Sequence, residues 1–369
     1  MIDTKQFYDC LVNHDMDFFA GVPDSLLKQL CACIGTNSDD THNIITANEG
    51  NAIAVAAGYH LSTGKYGVVY MQNSGEGNTV NPLMSLTDED VYNIPLLMII
   101  GWRGEPGIHD EPQHVKQGKV TLSLLETMGI KYMILSDDYA KQIEECYDYM
   151  KQTNKPVALV VHKNSFSDYP FTKPVNNHTL SREQALEEII KNLHSDEFIV
   201  STTGMCSREI FEIRERNGQG HGNDFLTVGS MGHTSSIAFG VAVGTDKDVY
   251  CIDGDGSFIM HMGASAVIAQ KAPDNYHYIL INNGVHDSVG GQPTVAYDID
   301  CEGVLKAVGY KQVYSAETFE DIKENIAKLR NNPKSALVVY CKQGARKDLG
   351  RPTTTPVQNK EAFMKELKK

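Results

Sequence analysis

Two short polar segments, one strand apart, carry the residue types needed to hold a metal and a diphosphate. Gly254-Asp255-Gly256-Ser257 follows the run DVYCID and opens the helical stretch FIMHMGASAVIAQ. Glycines permit a tight turn and close backbone approach to phosphate oxygens. The following helix N-terminus offers free N–H groups and the positive end of its dipole. Asp255 adds a hard carboxylate of the kind Mg²⁺ takes. Asn282-Asn283-Gly284-Val285 begins 27 residues after Asp255, one crossover helix and one strand later. Parallel neighbours at that spacing bring the two loops side by side. A carboxylate, an amide oxygen, a backbone carbonyl, two phosphate oxygens and a water then fill an octahedral shell. Either segment alone is also an ordinary turn; the ordered pair carries the signal.

Further candidates lie at other strand ends. Glu49 follows the run NIITA and opens a helix of small residues, EGNAIAVAAGY. A carboxylate there is favoured by the helix dipole whatever else it does. Thr203-Gly204-Met205 follows EFIVSTT, where hydroxyl and backbone N–H groups suit a diphosphate.

These loops need strands to position them. Runs at 17–22, 43–47, 66–72, 95–102, 131–136 and 156–162 read as strands in the first half. Runs at 197–203, 224–229, 248–253, 276–282, 311–316 and 335–341 do so in the second. Short, continuous apolar strands with helical stretches between them indicate parallel sheets covered on both faces. Helices are expected around 5–11, 25–33 and 51–61. The polar stretch 166–183, with two prolines and no periodicity, reads as a linker. The expected fold is thus α/β: two doubly wound domains with mostly parallel sheets, at 1–165 and 184–369. Such sheets bind ligands beyond the carboxyl ends of their strands.

Composition narrows the class. With 41% apolar and 22% charged residues this is an ordinary globular chain. No apolar run approaches the roughly 20 residues that span a bilayer. MIDTKQFYDC lacks a signal-peptide pattern, so a cytoplasmic location is expected. The net charge of −14 argues against nucleic acid or an anionic membrane as partner. Eight cysteines with no C-x-x-C indicate reduced thiols rather than an iron–sulfur cluster or structural zinc.

Taken in order along nearly the whole chain, these motifs resemble those of the thiamine-diphosphate enzyme superfamily. The resemblance implies that Asp255, Asn283 and the Val285 carbonyl ligate Mg²⁺. Gly254, Gly256, Ser257, Thr203, Gly204 and Met205 would then surround the cofactor diphosphate. It further implies that Glu49 hydrogen-bonds the aminopyrimidine ring and so favours the imino form that activates the thiazolium. Val228-Gly229-Ser230-Met231-Gly232-His233 looks like the segment that grips that ring, through Gly229 and Met231. Residues 1–165 would be a pyrimidine domain and 184–369 a diphosphate domain. Family sites lie between subunits, which implies a homo-oligomer, a dimer or larger.

A linker too short for a middle domain resembles the two-domain phosphonopyruvate and sulfopyruvate decarboxylase group. Segments 21–25, 102–107, 110–114 and 347–356 carry this likeness, and Asp24 leans it toward the phosphonate. The implied reaction takes 3-phosphonopyruvate to phosphonoacetaldehyde and CO₂ through a thiamine-diphosphate ylid, in phosphonate biosynthesis. Sulfopyruvate, or another 2-oxo acid, is the alternative substrate. The anionic substrate needs cations or donors, and Ser25, Arg103, His109 and Arg351 are candidates. His114, His286 and Asp24 are candidates for the acid that protonates the product. The tail 346–356 is a candidate lid. From another class, a nucleotide-binding dehydrogenase would want G-x-G-x-x-G, and Gly254-x-Gly256 lacks the third glycine.

Overall fold

A computed structural model describes residues 1–369. The chain forms two compact units, Met1–Lys173 and Pro174–Lys369. In the first, strands β1 (Phe18–Gly21), β2 (Asn43–Ile45), β3 (Gly67–Gln72), β4 (Leu97–Gly101), β5 (Lys131–Ile134) and β6 (Val157–Val161) form one sheet. Its order is β2-β1-β3-β4-β6-β5. In the second, the strands are β7 (Phe198–Ser201), β8 (Asp224–Leu226), β9 (Val249–Gly254), β10 (Tyr276–Asn282), β11 (Gln312–Ala316) and β12 (Ser335–Tyr340). Their order is β11-β12-β10-β9-β7-β8. Read from the other edge, this is the first unit's order repeated. Every pairing in both sheets is parallel.

The pattern of burial explains the strands. Residues in β1, β4, β6, β7 and β10 are buried throughout, as continuous Val/Ile/Leu-rich runs require when helices cover both faces. The edge strands β5 and β11 are instead partly exposed along most of their length. Eleven of the twelve strands fall inside the runs that the sequence marks, and β9 runs one residue past its own, to Gly254. Two helical expectations shift. The second helix begins at Lys28 rather than Ser25, because the Asp24 side chain closes a turn by accepting the Leu26 and Leu27 N–H groups. The stretch after Asp255 is two helices, Asp255–Met260 and Gly263–Lys271, broken at His261.

In each sheet the chain reverses its direction of strand addition beside the first strand, between β1 and β3 and between β7 and β9. Such switch points open crevices at the carboxyl ends of the strands. The Asp24 and Gln72–Asn78 loops flank the first crevice; the Thr203 and Asp255 loops flank the second.

Candidate active site

In the second unit, β9 and β10 are direct neighbours, with Ile281 opposite Gly254. The Asp255 and Asn283 loops are therefore adjacent, as their one-crossover spacing predicts. Asp255 and Asn283 are both buried, and Val285 lies with them. The Thr294 hydroxyl donates to Asp255 Oδ2 at 2.6 Å, and the Thr294 N–H donates to the Gly284 carbonyl at 2.8 Å. Burial pushes the Asp255 carboxyl up to about 6, with the Thr294 hydroxyl opposing the shift. A buried carboxylate with no cationic side chain against it is the donor set that a hard cation stabilises. The Val285 carbonyl takes the Asp287 N–H at 3.0 Å and keeps a second lone pair.

Backbone and side-chain hydrogen bonds fasten the other loops to this pair. Thr203 Oγ1 donates to the Val228 carbonyl at 2.8 Å. The Gly232 N–H donates to Ser257 Oγ at 3.1 Å, tying the Met231 turn to the Asp255 helix. That turn holds Ser230 and Gly232 at positive φ, 57° and 86°. A side chain on Gly256 would collide with His286, 2.8 Å away, and with the Met231 methyl at 3.0 Å. Gly256 thus keeps a cradle open beneath Met231 and His286. Gly229 lies in the same turn and Met205 opens the helix Met205–Arg216 after Gly204. The residues therefore fit a diphosphate and a hard metal: a helix N-terminus at Asp255, a glycine cradle and oxygen donors on two adjoining loops.

The first unit gathers a second set. Glu49 is the first residue of the helix Glu49–Thr63, whose cap is Asn48. It is buried, and its Oε2 accepts the Asn78 side-chain N–H at 2.7 Å. Gly75 lies against it; a Cβ there would come within 2.3 Å of Glu49 Oε1. Burial raises the Glu49 carboxyl, and the Asn78 amide opposes that shift. A carboxyl in this state can share a proton with a ring nitrogen.

Asp24 lies beyond β1 and is fully buried, with Oδ1 unpartnered. Burial pushes it up to about 6, against the pull of the Arg103 charge. Arg103 donates through Nη1 to Ser25 Oγ at 2.8 Å and through Nε to Asp110 Oδ2 at 2.7 Å. Asn73 clamps the Arg103 backbone, accepting its N–H at 3.1 Å and donating to its carbonyl at 2.8 Å. Ser25, Asp24 and Arg103 are thus one cluster, and much of the guanidinium is already committed to Asp110.

His114 stands in the first turn of the helix Pro112–Thr127 rather than in a loop. Burial, then the Arg103 charge, pushes it down to about 4, so it is neutral at neutral pH. His109 is exposed on the preceding loop. Arg351 is exposed in the second unit's tail, where Arg346 pairs with Glu183 and Glu212.

Sequence reasoning missed Asn78, Thr294 and Glu76. Asn78 and Glu76 stand in the strand-end stretch 70–78, where no pattern singles out either side chain, and Thr294 follows the Gly290-Gly291 turn with no local pattern of its own. No helix is long and apolar enough to cross a membrane.

Comparison with known proteins finds two family models and several relatives. Residues 4–126 match the model of the thiamine pyrophosphate enzyme N-terminal TPP binding domain. Residues 202–340 match that of the C-terminal TPP binding domain. A phosphonopyruvate decarboxylase from Streptomyces viridochromogenes is 32% identical, over 93% of this chain and 89% of its own. A sulfopyruvate decarboxylase from Methanosarcina acetivorans is 28% identical, over 85% of this chain and 84% of its own. In Methanococcus maripaludis the sulfopyruvate decarboxylase beta subunit is 30% identical over 49% of this chain and 97% of its own. The alpha subunit there is 32% identical over 43% of this chain and 93% of its own.

Proposed function

The chain belongs to the thiamine pyrophosphate enzyme family as a thiamine-diphosphate-dependent decarboxylase, and from that premise we propose that it converts 3-phosphonopyruvate to phosphonoacetaldehyde and CO₂. The observation that carries the substrate is the 32% identity to a phosphonopyruvate decarboxylase across 93% of the chain.

Thiamine diphosphate, when bound, supplies the electron sink for loss of CO₂. Asp255, Asn283 and the Val285 carbonyl would hold Mg²⁺. Gly254, Gly256, Ser257, Thr203, Gly204 and Met205 would hold the diphosphate through N–H and hydroxyl groups. Gly229 and Met231 would position the aminopyrimidine, and Glu49 would share a proton with its ring nitrogen. Ser25 and Arg103 offer donors to the anionic substrate, with His109 and Arg351 as further candidates. Asp24 is the better proton donor of the two catalytic candidates in its cluster. Its carboxyl titrates near 6, whereas His114 is already neutral at that pH. The buried setting of Asp24 disfavours solvation of a substrate carboxylate beside it.

The Glu49 set and the Asp255 set stand in different units, and the reading joins a pyrimidine domain of one subunit to a diphosphate domain of another. Two observations support an oligomer. The relatives include an enzyme named by its alpha and beta subunits. The helix Thr234–Val243 is apolar around its whole circumference, yet Val243 is 65% exposed, and Val267 on the nearby helix Gly263–Lys271 is 59% exposed. A helix of that kind is ordinarily covered.

The test is ³¹P NMR of the reaction with 3-phosphonopyruvate, thiamine diphosphate and Mg²⁺. Conversion of the substrate resonance to that of phosphonoacetaldehyde supports the reading. An unchanged spectrum, with cofactor bound, contradicts it. Sedimentation of the native chain at a dimer mass or above is expected for the assembly.

A further inference from the structure

Asp287, a carboxylate beside the metal loop with its side chain only 10% exposed, gathers several donors. Asp287 Oδ2 accepts three donors: Asn283 Nδ2 at 2.7 Å, Arg182 Nη1 at 2.8 Å and the Gly344 N–H at 3.1 Å. Its Oδ1 also faces the Gly344 N–H, at 3.1 Å. Arg182 is itself buried and forks onto Glu209 through Nε at 2.7 Å and Nη2 at 3.0 Å. The guanidinium thus bridges two carboxylates and fixes Asp287 in place.

We infer that Asp287 is a positioning residue that sets which way round the Asn283 amide stands. This rests on the proposed role of Asn283 as a metal ligand. The two ends of a primary amide are alike in size and opposite in polarity. Only the oxygen has a lone pair to give a metal; the NH₂ end does not. A carboxylate oxygen 2.7 Å away admits the NH₂ end and repels the oxygen. The amide is therefore held with Nδ2 toward Asp287 and Oδ1 turned away, where it accepts the Val285 N–H at 3.3 Å inside the metal loop. Without Asp287 the amide is free to reverse, and each reversed molecule presents two N–H donors to the cation. Groups that orient a ligand in this way are worth about 10- to 100-fold in metal affinity.

The experiment is Mn²⁺ binding to the full chain with thiamine diphosphate present, read from the free Mn²⁺ electron-paramagnetic-resonance signal. Asp287→Ala removes the acceptor and is expected to weaken Mn²⁺ by about 10- to 100-fold. Glu209 still pairs Arg182 in that variant, so no buried cation is left uncompensated. Asp287→Asn keeps an oxygen where the three donors converge, and is expected to bind within about threefold of the parent chain, a difference of less than 1 kcal/mol. Equal losses in both variants would mean that charge, not orientation, is the contribution, and would overturn the inference; so would an unchanged Asp287→Ala. Should Asp287→Ala fail to fold, Asp287→Ser takes its place. Its hydroxyl still faces Arg182 but is too short for Asn283, and the same loss is expected; full affinity would count against the inference. Asn283→Ala is the control for the underlying reading. If it binds Mn²⁺ normally, the ligand assignment itself falls. If it loses Mn²⁺ while Asp287→Ala does not, only the orienting role falls.

Discussion

Asn78 donates its side-chain N–H to Glu49 Oε2 at 2.7 Å, across 29 residues of sequence. It leaves Oε1, lying against Gly75, as the oxygen available to a ring nitrogen. In the proposed role, Glu49→Gln keeps the shape and loses the proton that Glu49 would share with the ring. Turnover is expected to fall by about 10²- to 10⁴-fold, the usual worth of a positioned acid–base group, while cofactor binding survives. Steady-state rates together with a thiamine-diphosphate binding isotherm check this. Asn78→Ala is expected to cost about tenfold in kcat, because it leaves the buried carboxyl without its partner.

Glu76 gives a prediction about stability. It is buried, with Oε1 unpartnered, and burial pushes it up to about 8 while the Thr121 hydroxyl pulls against the shift. A raised carboxyl is protonated in the folded chain where the unfolded chain has already ionised. From about pH 4.5 to 8 the unfolded state binds fewer protons, so stability falls as pH rises through that window. Glu76→Gln stays neutral in both states. Its unfolding free energy, taken from urea titrations, should gain on the parent's as pH rises from 5 to 8 and exceed it at pH 8 by a margin on the order of 4 kcal/mol. Parallel profiles for the two proteins would contradict the assignment.

Asp24 gives a prediction about activity. Its carboxyl titrates near 6, so its protonated fraction drops as pH rises through that value. If Asp24 delivers the proton that completes the product, kcat declines above pH 6. Asp24→Asn should abolish that limb and lower kcat by about 10²-fold. A limb that survives in Asp24→Asn belongs to another group.

Much of this arrangement is legible in the sequence, for physical reasons that also mark where legibility ends. Continuous runs such as LLMII and YHYILIN read as strands because parallel strands covered on both faces have no polar side. Asp255 and Asn283 read as neighbours because a single crossover separates the strands that carry them. Arg182 and Asp287 do not read as partners, since they lie 105 residues apart and a long-range ion pair leaves no periodicity. The burial of Asp24 and Glu76 is invisible too, because both sit in loop or helix-start positions where carboxylates are normally solvated. The break at His261 is marked only by Gly263 two residues on, inside an apolar stretch that otherwise reads as one helix.

The most direct test of the substrate is CO₂ release from 3-phosphonopyruvate and from sulfopyruvate, measured side by side with thiamine diphosphate and Mg²⁺ present or omitted. The account predicts turnover that requires both additions, with kcat/KM for the phosphonate at least about tenfold above the sulfonate, a discrimination of 1.4 kcal/mol or more. Preference for sulfopyruvate, or no turnover of the phosphonate by cofactor-loaded protein, would contradict it.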